Sequence, residues 1–138
     1  MLNTEQIRRA LRNHRITSGY FDDVYACDTL PAMEPETGYV MNTDPSHLPG
    51  EHWIAMYLGR DGVLQYMDSM GMQPPGSLKK YKIRTLFNRV QGILPFCGYY
   101  CLLFILSVKK PCVLNVLDNH CSSNDRIVKL CVSREFDV

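Results

Sequence analysis

The chain has 138 residues, of which 46% are hydrophobic and 21% charged, and its formal net charge is +1. This composition is ordinary for a globular protein, and the length fits a single domain over residues 1–138. The longest apolar run, about a dozen residues, is too short to span a bilayer, and no apolar segment follows Met1 as in a signal peptide. We therefore expect a protein that is neither secreted nor bound in a membrane.

The cysteines of the chain lack the tight spacing of a secreted disulfide scaffold; they are Cys27, Cys97, Cys101, Cys112, Cys121 and Cys131. Without an export signal, reduced thiols in the cytosol or nucleus are expected rather than disulfides. No Cys-x-x-Cys knuckle appears, so we expect no metal site and no required cofactor. The sequence assigns no function to Cys27, Cys112, Cys121 and Cys131.

Charge is distributed unevenly along the chain. Between residues 18 and 78, nine acidic residues face a single basic residue, Arg60. Basic clusters flank this stretch on both sides: Arg8, Arg9, Arg12 and Arg15 before it, and Lys79, Lys80, Lys82, Arg84 and Arg89 after it. Each cluster fits a solvated surface; the second, alone or with Arg8, Arg9 and Arg12, fits equally well a contact with DNA that ignores base sequence.

The N-terminal part of the chain predicts one helix and one short strand. Residues 4–14 form a helix in this interpretation, with Thr4 as the N-cap and Ile7, Ala10 and Leu11 as its apolar stripe. Residues 19–35 are expected to be irregular, since prolines interrupt any continuous element there. A strand at residues 38–42 and a loop at residues 44–50 follow.

A hairpin is predicted next, from an apolar strand at residues 51–58, a turn at 59–62 and a second strand at 63–68. If Leu58 pairs with Gly62, His52 lies opposite Asp68, whereas a loop shorter or longer by one residue puts Asp68 on the other face. Either way both residues lie at the open end of the hairpin. A lone histidine there is more often structural, but a His beside an Asp is the pattern of a base and the acid that orients it.

The remaining elements are two helices and a segment that fits either state. We predict a short helix within residues 78–89, then a strand ending at Gln91. The apolar run that begins at Cys97 predicts a helix buried in the core, which Pro111 ends. Asn124 is expected to cap a last helix over residues 125–132, with Ile127, Leu130 and Cys131 facing inward.

Cys97 is the candidate nucleophile, because it opens the predicted buried helix. Unpaired backbone N–H groups and the positive end of the helix dipole favour its thiolate form. Gly98 leaves the approach to the sulfur open, and Gln91 offers an NH2 donor to an oxyanion beside the Cys97 backbone N–H. Cys101, one turn later, lies among apolar residues and is expected to be inert. The alternative is that Cys97 only fills space in the core, and His52 with Asp68 favours the catalytic reading.

These residues together resemble the adenovirus-type cysteine endopeptidases (adenain) and the wider group that includes the SUMO-deconjugating proteases. The resemblance rests on residues 50–55, which contain His-Trp, on residues 68–71, on Gln91, and on residues 96–101, which contain Cys-Gly. Upstream, residues 19–21, 28–31 and 39–43 resemble adenain specifically. The motifs cover roughly two thirds of the chain.

The resemblance implies an α+β fold in which a central mixed sheet packs against a buried helix carrying the nucleophile at its N-terminus. It implies His52 as base, Asp68 as orienting acid, Gln91 as oxyanion donor and Cys97 as nucleophile. It also implies that Trp53 and Gly98 line a narrow substrate groove. The implied function is a viral or virus-derived endopeptidase that cuts capsid or core precursors at Gly-containing sites during virion maturation.

Further expectations follow from the same resemblance. They are a monomer in the host nucleus or cytoplasm and in the virion, with an activating peptide and DNA as partners. The family's activating disulfide does not carry over, because no cysteine lies between Cys27 and Cys97. The chain is also shorter than adenain, its orienting acid is Asp instead of Glu, and its loop at residues 92–96 is bulkier. Two alternatives stay open: a deconjugase of a ubiquitin-like protein, and a non-catalytic module of the same fold that binds DNA or capsid.

Overall fold

The chain folds into a five-stranded sheet and three α-helices, in a computed structural model that describes residues 1–50, 52–86, 88–118 and 120–138. The helices are α1 (Thr4–Asn13), α2 (Cys97–Ser107) and α3 (Cys121–Glu135). The strands are β1 (Phe21–Ala26), β2 (Thr37–Asn42), β3 (Trp53–Leu58), β4 (Val63–Met67) and β5 (Lys82–Thr85). Short 3-10 turns lie at Thr17–Gly19, Gly76–Leu78 and Pro111–Val116.

The strands lie side by side in chain order, from β1 to β5. The outer pairs, β1 with β2 and β4 with β5, are parallel, whereas β2, β3 and β4 are antiparallel. A mixed sheet with separate helices is the α+β fold that the sequence predicts, and that prediction is confirmed. No helix in the described residues is long and apolar enough to cross a membrane.

The core has two layers because β3 is buried on both faces. On one face Trp53, Ala55 and Tyr57 pack in the cluster that contains α2, and the opposite face carries a second apolar cluster around Ile54 and Met56. All 11 residues of α2 are buried, as its nearly uniform apolar sequence predicts. The buried helix is therefore confirmed, and the sheet and helix together fix the position of Cys97.

Helix α1 begins one residue earlier than the predicted cap would place it. Asn3, not Thr4, is the N-cap: its side chain accepts from Gln6 N at 2.8 Å, and Gln6 Oε1 accepts from Asn3 N at 2.8 Å. This reciprocal capping box satisfies two orphan donors of the first turn. The apolar stripe of Ile7, Ala10 and Leu11 is buried as predicted.

The expectation that residues 19–35 are irregular is wrong, because they contain β1. Two adjacent aspartates, Asp22 and Asp23, disfavour a strand by propensity. The structure compensates with tertiary contacts, since Asp23 accepts from Arg8 Nε at 2.7 Å and lies 3.1 Å from Arg12 NH2. The N-terminal arginines thus neutralise part of the acidic stretch, and β1 gains a partner strand in β2.

Two predictions for the second half of the chain are also wrong. Residues 78–89 contain β5 and only the end of a 3-10 turn, and the segment near Gln91 is a loop whose Val90 and Gln91 N–H groups both donate to Ser69 O at 2.9 Å. Helix α3 starts at Cys121, so Asn124 lies inside it. Its inward residues are Asn124, Asp125, Val128 and Val132, whereas Ile127 is 37% and Leu130 49% exposed, and Cys131 is only half-buried.

Candidate active site

His52 and Asp68 meet at one end of the sheet, where His52 precedes β3 and Asp68 follows β4. Their side chains form a hydrogen bond of 2.6 Å between His52 Nε2 and Asp68 Oδ1. The predicted register is wrong, because Leu58 pairs with Leu64 instead of Gly62. The shift is an even number of residues, and so both side chains still fall on the same face. Glu51, which the predicted strand included, lies outside the described residues.

The surroundings of His52 favour its charged form. Burial lowers the pKa of His52, but the hydrogen bond with Asp68 and the neighbouring Cys97 outweigh burial and raise the pKa to about 9. Asp68 is buried and accepts a second hydrogen bond from Met70 N at 2.8 Å. With Nε2 engaged by Asp68, Nδ1 is the ring nitrogen left to exchange a proton with Cys97.

Cys97 is the first residue of α2, as predicted, and is 3% exposed. Its Sγ accepts a hydrogen bond from Trp53 N at 3.4 Å, which ties the nucleophile helix to the residue that follows His52. Cys101 lies fully buried one turn later, and burial raises the pKa of its thiol. All six cysteines are free thiols, so the two on α2 differ in their surroundings and not in their oxidation.

Gln91 is buried in the loop that leads to α2, which we call the oxyanion loop (residues 91–96). Its side-chain oxygen accepts a hydrogen bond from Ser69 Oγ, and its Nε2 donates to Leu94 O at 2.7 Å. Because Ser69 directly follows Asp68, this contact links Gln91 to the His52–Asp68 pair. Within the described residues, Nε2 makes the one hydrogen bond to Leu94 O, and its second N–H has no partner.

Two polar residues in contact with this loop were missed from the sequence. Ser69 lies within residues 68–71, one of the segments on which the resemblance rests, so its position beside Asp68 could have identified it. Asp125 offered no such signal, because its partners are distant in sequence. It accepts from Gly92 N, 33 residues earlier, at 2.8 Å and from Leu94 N, 31 residues earlier, at 3.0 Å. Arg89, predicted among the basic residues, donates to Gln91 O at 2.8 Å and to Gly92 O at 3.1 Å.

Trp53 and Gly98 both pack against the N-terminal residues of the chain. The Trp53 ring is buried, and its Nε1 donates to Leu2 O at 3.1 Å. A Cβ on Gly98 would lie 3.1 Å from Leu2 Cβ and 3.4 Å from Ile7 Cδ1. Gly98 therefore permits close packing of α1 against α2, which corrects the expectation that it opens the approach to the sulfur.

Phe96, in the bulky part of the oxyanion loop, packs against α2 and α3. Phe96 packs edge-on against Tyr99, with ring centroids 5.3 Å apart, and Lys129 Nζ lies 5.2 Å from the Phe96 centroid. These contacts hold the ring between α2 and α3.

Two clefts border the end of the sheet that carries His52. The Trp53 cleft, about 290 Å³, is lined by Trp53, Asn42, Ala26, Leu48 and Gly50 among others. The His52 cleft, about 580 Å³, is lined by His52 and Asp68 with Met41, Cys27 and Met72 among others. Neighbouring residues of the same strand ends line different clefts, since successive side chains point to opposite faces. Of the candidate site residues, His52 and Asp68 line the His52 cleft, and Trp53 lines the Trp53 cleft.

The basic residues fall into two groups. Lys79, Lys80, Lys82 and Arg84 are exposed at and before β5, and within the described residues none of them lies in an ion pair. Arg89 instead contacts the oxyanion loop, as described above. Arg8 and Arg12 are ion-paired with Asp23, which favours a structural function for the N-terminal cluster. In the described parts of the chain, no group of three His, Cys, Asp or Glu residues is arranged to hold a metal ion.

Comparison with known proteins relates the chain to one viral enzyme. Over 51 residues it is 37% identical to a cysteine protease of African swine fever virus, which covers 35% of this chain and 19% of the protease. This chain is related to a viral cysteine protease. No model of a known protein family matches it.

Solved structures support the fold. A crystal structure of the African swine fever virus protease superposes with a TM-score of 0.54 at 21% identity, covering 78% of this chain and 57% of that one. The central domain of an uncharacterised Legionella pneumophila protein gives a TM-score of 0.50 at 14% identity, covering 83% of this chain and 84% of that one. At these identities the likeness shows the fold alone. The chain matches little more than half the length of the viral protease structure.

Proposed function

We propose that this chain is a cysteine endopeptidase in which Cys97 is the nucleophile, His52 the base, Asp68 the acid that orients it and Gln91 an oxyanion donor. One observation carries the proposal: a His–Asp pair with a 2.6 Å hydrogen bond lies beside a cysteine that opens a buried helix. A His held in the charged form by an acidic partner stabilises a thiolate next to it. The relation to a viral cysteine protease supports the same chemistry.

In the proposed reaction the Cys97 thiolate attacks the carbonyl carbon of a peptide bond. The resulting oxyanion accepts hydrogen bonds from the free Gln91 N–H and from the Cys97 backbone N–H. The His52 imidazolium gives its proton to the leaving amine, the C–N bond breaks, and a thioester on Cys97 forms. Neutral His52 then takes a proton from water, whose hydroxide attacks the thioester and releases the acid, leaving the imidazolium–thiolate pair again.

For the substrate we propose extended segments with glycine next to the cut, in capsid or core precursors of an assembling virion. An extended chain would find space in the His52 cleft, which His52 and Asp68 line, or in the separate Trp53 cleft, which Trp53 lines. The protein would then act as a monomer in the host nucleus or cytoplasm and in the particle. DNA and an activating peptide are proposed as partners on the resemblance to adenain, with Lys79, Lys80, Lys82 and Arg84 as the DNA contacts.

A mechanism-based label tests the nucleophile directly. A peptide ending in Gly-Gly vinyl methyl ester forms a stable thioether with an activated thiolate, which mass spectrometry locates. We expect one adduct, on Cys97, that is lost in Cys97→Ser and in His52→Ala but retained in Cys101→Ser. Labelling of Cys101, or equal labelling of several cysteines, would contradict the assignment.

Cleavage is tested with the same variants. Wild type and Cys101→Ser are expected to cut unstructured Gly-containing peptides, and Cys97→Ser to cut none. A protein that takes the label but cuts only a folded ubiquitin-like fusion would be a deconjugase. A folded wild-type protein that does neither would be a non-catalytic module.

A further inference from the structure

Helix α3 buries a carboxylate that the proposed reaction does not use. Asp125 is 2% exposed, and both of its side-chain oxygens are engaged. Oδ1 accepts from Gly92 N at 2.8 Å and from Tyr100 OH at 2.7 Å, and Oδ2 accepts from Leu94 N at 3.0 Å. Within the described residues no basic side chain forms an ion pair with it. The negative charge is therefore balanced by hydrogen bonds from the oxyanion loop and from the nucleophile helix.

A buried charge without a cation is costly, and the usual alternative at an inward helix position is an apolar side chain. Here the apolar residues Ile127 and Leu130 point outward instead. Asn124, also buried, donates to Val90 O at 2.9 Å and thus contacts the residue just before the loop. The orientation of α3 follows its polar contacts with residues 90–94 and not its apolar pattern.

Gly92 shows how closely the loop approaches this helix. A Cβ at Gly92 would lie 2.8 Å from Asp125 Oδ2 and 3.1 Å from Cys121 O. Only glycine lets the backbone come near enough for the Gly92 N–H to reach the carboxylate. The loop and the helix are therefore fitted to one another at this point.

The contact reaches Gln91 through a single residue, Leu94. The Leu94 N–H donates to Asp125, and the Leu94 carbonyl accepts from Gln91 Nε2 at 2.7 Å. Ser69 holds the other end of the same carboxamide. A shift of Leu94 away from α3 would therefore remove the acceptor that fixes the amide nitrogen of Gln91.

We propose that Asp125 is a positioning residue, which clamps the oxyanion loop through Gly92 and Leu94 so that the Gln91 carboxamide is held for transition-state stabilisation. This inference rests on the proposed function for its catalytic consequence. It gives α3 a part in the reaction through its contacts with the oxyanion loop.

The clamp itself is tested without activity, by amide hydrogen exchange. In the wild-type protein the Gly92 and Leu94 amides are expected to be protected, and Asp125→Asn to lose that protection while the amides of β3 keep theirs. Glu135→Gln is the matched control, because Glu135 lies on the same helix but pairs with His14 and Lys110. Unchanged exchange at Gly92 and Leu94 in Asp125→Asn would overturn the clamp.

The link to Gln91 is tested by a double-mutant cycle on peptide cleavage. Gln91→Ala alone is expected to lower kcat by about 10²–10³, and Asp125→Asn by about tenfold or more with little change in KM. If Asp125 acts through Gln91, the double variant falls no further than Gln91→Ala, since groups that act as a unit are not additive. Additive losses, or an unchanged kcat in Asp125→Asn, would overturn the inference while leaving the proposed function intact.

Gly92→Ala provides a second route should Asp125→Asn not fold. It removes no hydrogen-bonding group but pushes the loop away from Oδ2. We expect the same fall in kcat and the same lack of additivity with Gln91→Ala, and a normal kcat would count against the clamp. If the wild-type protein neither takes the label on Cys97 nor cleaves peptides, the proposed function is wrong, and so is the catalytic part of this inference. The hydrogen-exchange result still decides whether Asp125 holds the loop.

Discussion

His52 lies between Asp68 and Cys97, with its side chain 21% exposed. Burial alone would favour the neutral ring, yet the acidic partner and the neighbouring sulfur raise the pKa to about 9. The charged ring is therefore the form that the fold stabilises at neutral pH. The proposed mechanism uses this directly, because the imidazolium is both the counter-ion of the thiolate and the proton donor to the leaving amine.

A pH dependence of stability follows from His52. Its folded-state pKa, about 9, is above the usual 6.5. The contribution of His52 to the stability of the fold is therefore fully present below pH 6.5 and is lost as the pH rises through about 9. We expect the Tm of the wild-type protein to fall between pH 7 and 9.5 by more than that of His52→Gln. Differential scanning fluorimetry over this range measures it. Parallel Tm curves for the two proteins would show that His52 keeps its ordinary pKa.

At the scale of secondary structure elements, the parts predicted correctly are those whose residues carry the information locally. The buried helix α2 follows from a continuous apolar run, and His52 and Asp68 follow from a hairpin whose strands are apolar and bounded by a turn. The exact register did not follow, because loop geometry sets it. The prediction that His52 and Asp68 share a face is still correct, because the register error is an even number of residues.

The elements that were missed depend on contacts distant in sequence. Strand β1 forms despite Asp22 and Asp23, since Arg8 and Arg12 lie beside it in the fold. The inward face of α3 was predicted from Ile127 and Leu130, but Asp125 and Asn124 occupy it because their partners are the loop amides and carbonyls some thirty residues earlier. A pattern of apolar residues cannot show a polar contact of this kind, which is typical of functional sites.

The orientation of α3 gives a direct stability test. Val128 is fully buried, whereas Leu130 is 49% exposed on the same helix. We expect Val128→Ala to lower the free energy of unfolding by about 1–3 kcal/mol, through lost burial and the cavity left behind. Leu130→Ala should change it by less than about 0.5 kcal/mol, as surface substitutions do. Urea denaturation of both variants checks this, and the reverse order would mean that α3 packs through its apolar stripe after all.

At the scale of the whole molecule, the fold determines which basic residues are ion-paired and which stay exposed. The N-terminal arginines are brought against β1, where Asp23 pairs with two of them. This leaves Lys79, Lys80, Lys82 and Arg84 exposed on the β5 side of the sheet. We therefore assign the proposed DNA contact to that cluster and not to both basic clusters together.

The proposed DNA binding by this cluster predicts a defined salt dependence. With four phosphate contacts, log K should fall against log salt with a slope of about −3.6, from −0.9 per contact. Lys80→Ala with Lys82→Ala should reduce the slope to about −1.8. Arg12→Ala, which removes an ion-paired arginine, is the matched control and should leave the slope unchanged. Fluorescence anisotropy with duplexes of different sequence measures the slope. Undetectable binding at about 50 mM salt would show that DNA is not a partner of this cluster.

If the chain is the proposed endopeptidase, the packing of Trp53 against the nucleophile helix would limit what it can cut. Trp53 cannot move aside easily, because its backbone N–H donates to Cys97 Sγ and its ring nitrogen donates to Leu2 O. A side chain just before the scissile bond would have to displace this packed aromatic surface. Overpacking of that kind typically costs about 1–3 kcal/mol, which is roughly a tenfold to hundredfold loss in rate. Glycine has no Cβ and lets the backbone approach closely.

We therefore expect cleavage of extended peptides with Gly at one or both of the two positions before the cut and an apolar residue upstream. A library of unstructured peptides, profiled by mass spectrometry, gives the preference at each position, and Cys97→Ser controls for contaminating proteases. Substituting Trp53→Ala should relax the preference for Gly towards Ala and Ser at a lower kcat, since it removes the ring but keeps the backbone donor. Efficient cutting after Lys, Arg or Phe by the wild-type protein would contradict a narrow site beside Trp53. Cutting of a folded ubiquitin-like fusion with the matching short peptide untouched would instead place the specificity in a surface remote from Cys97.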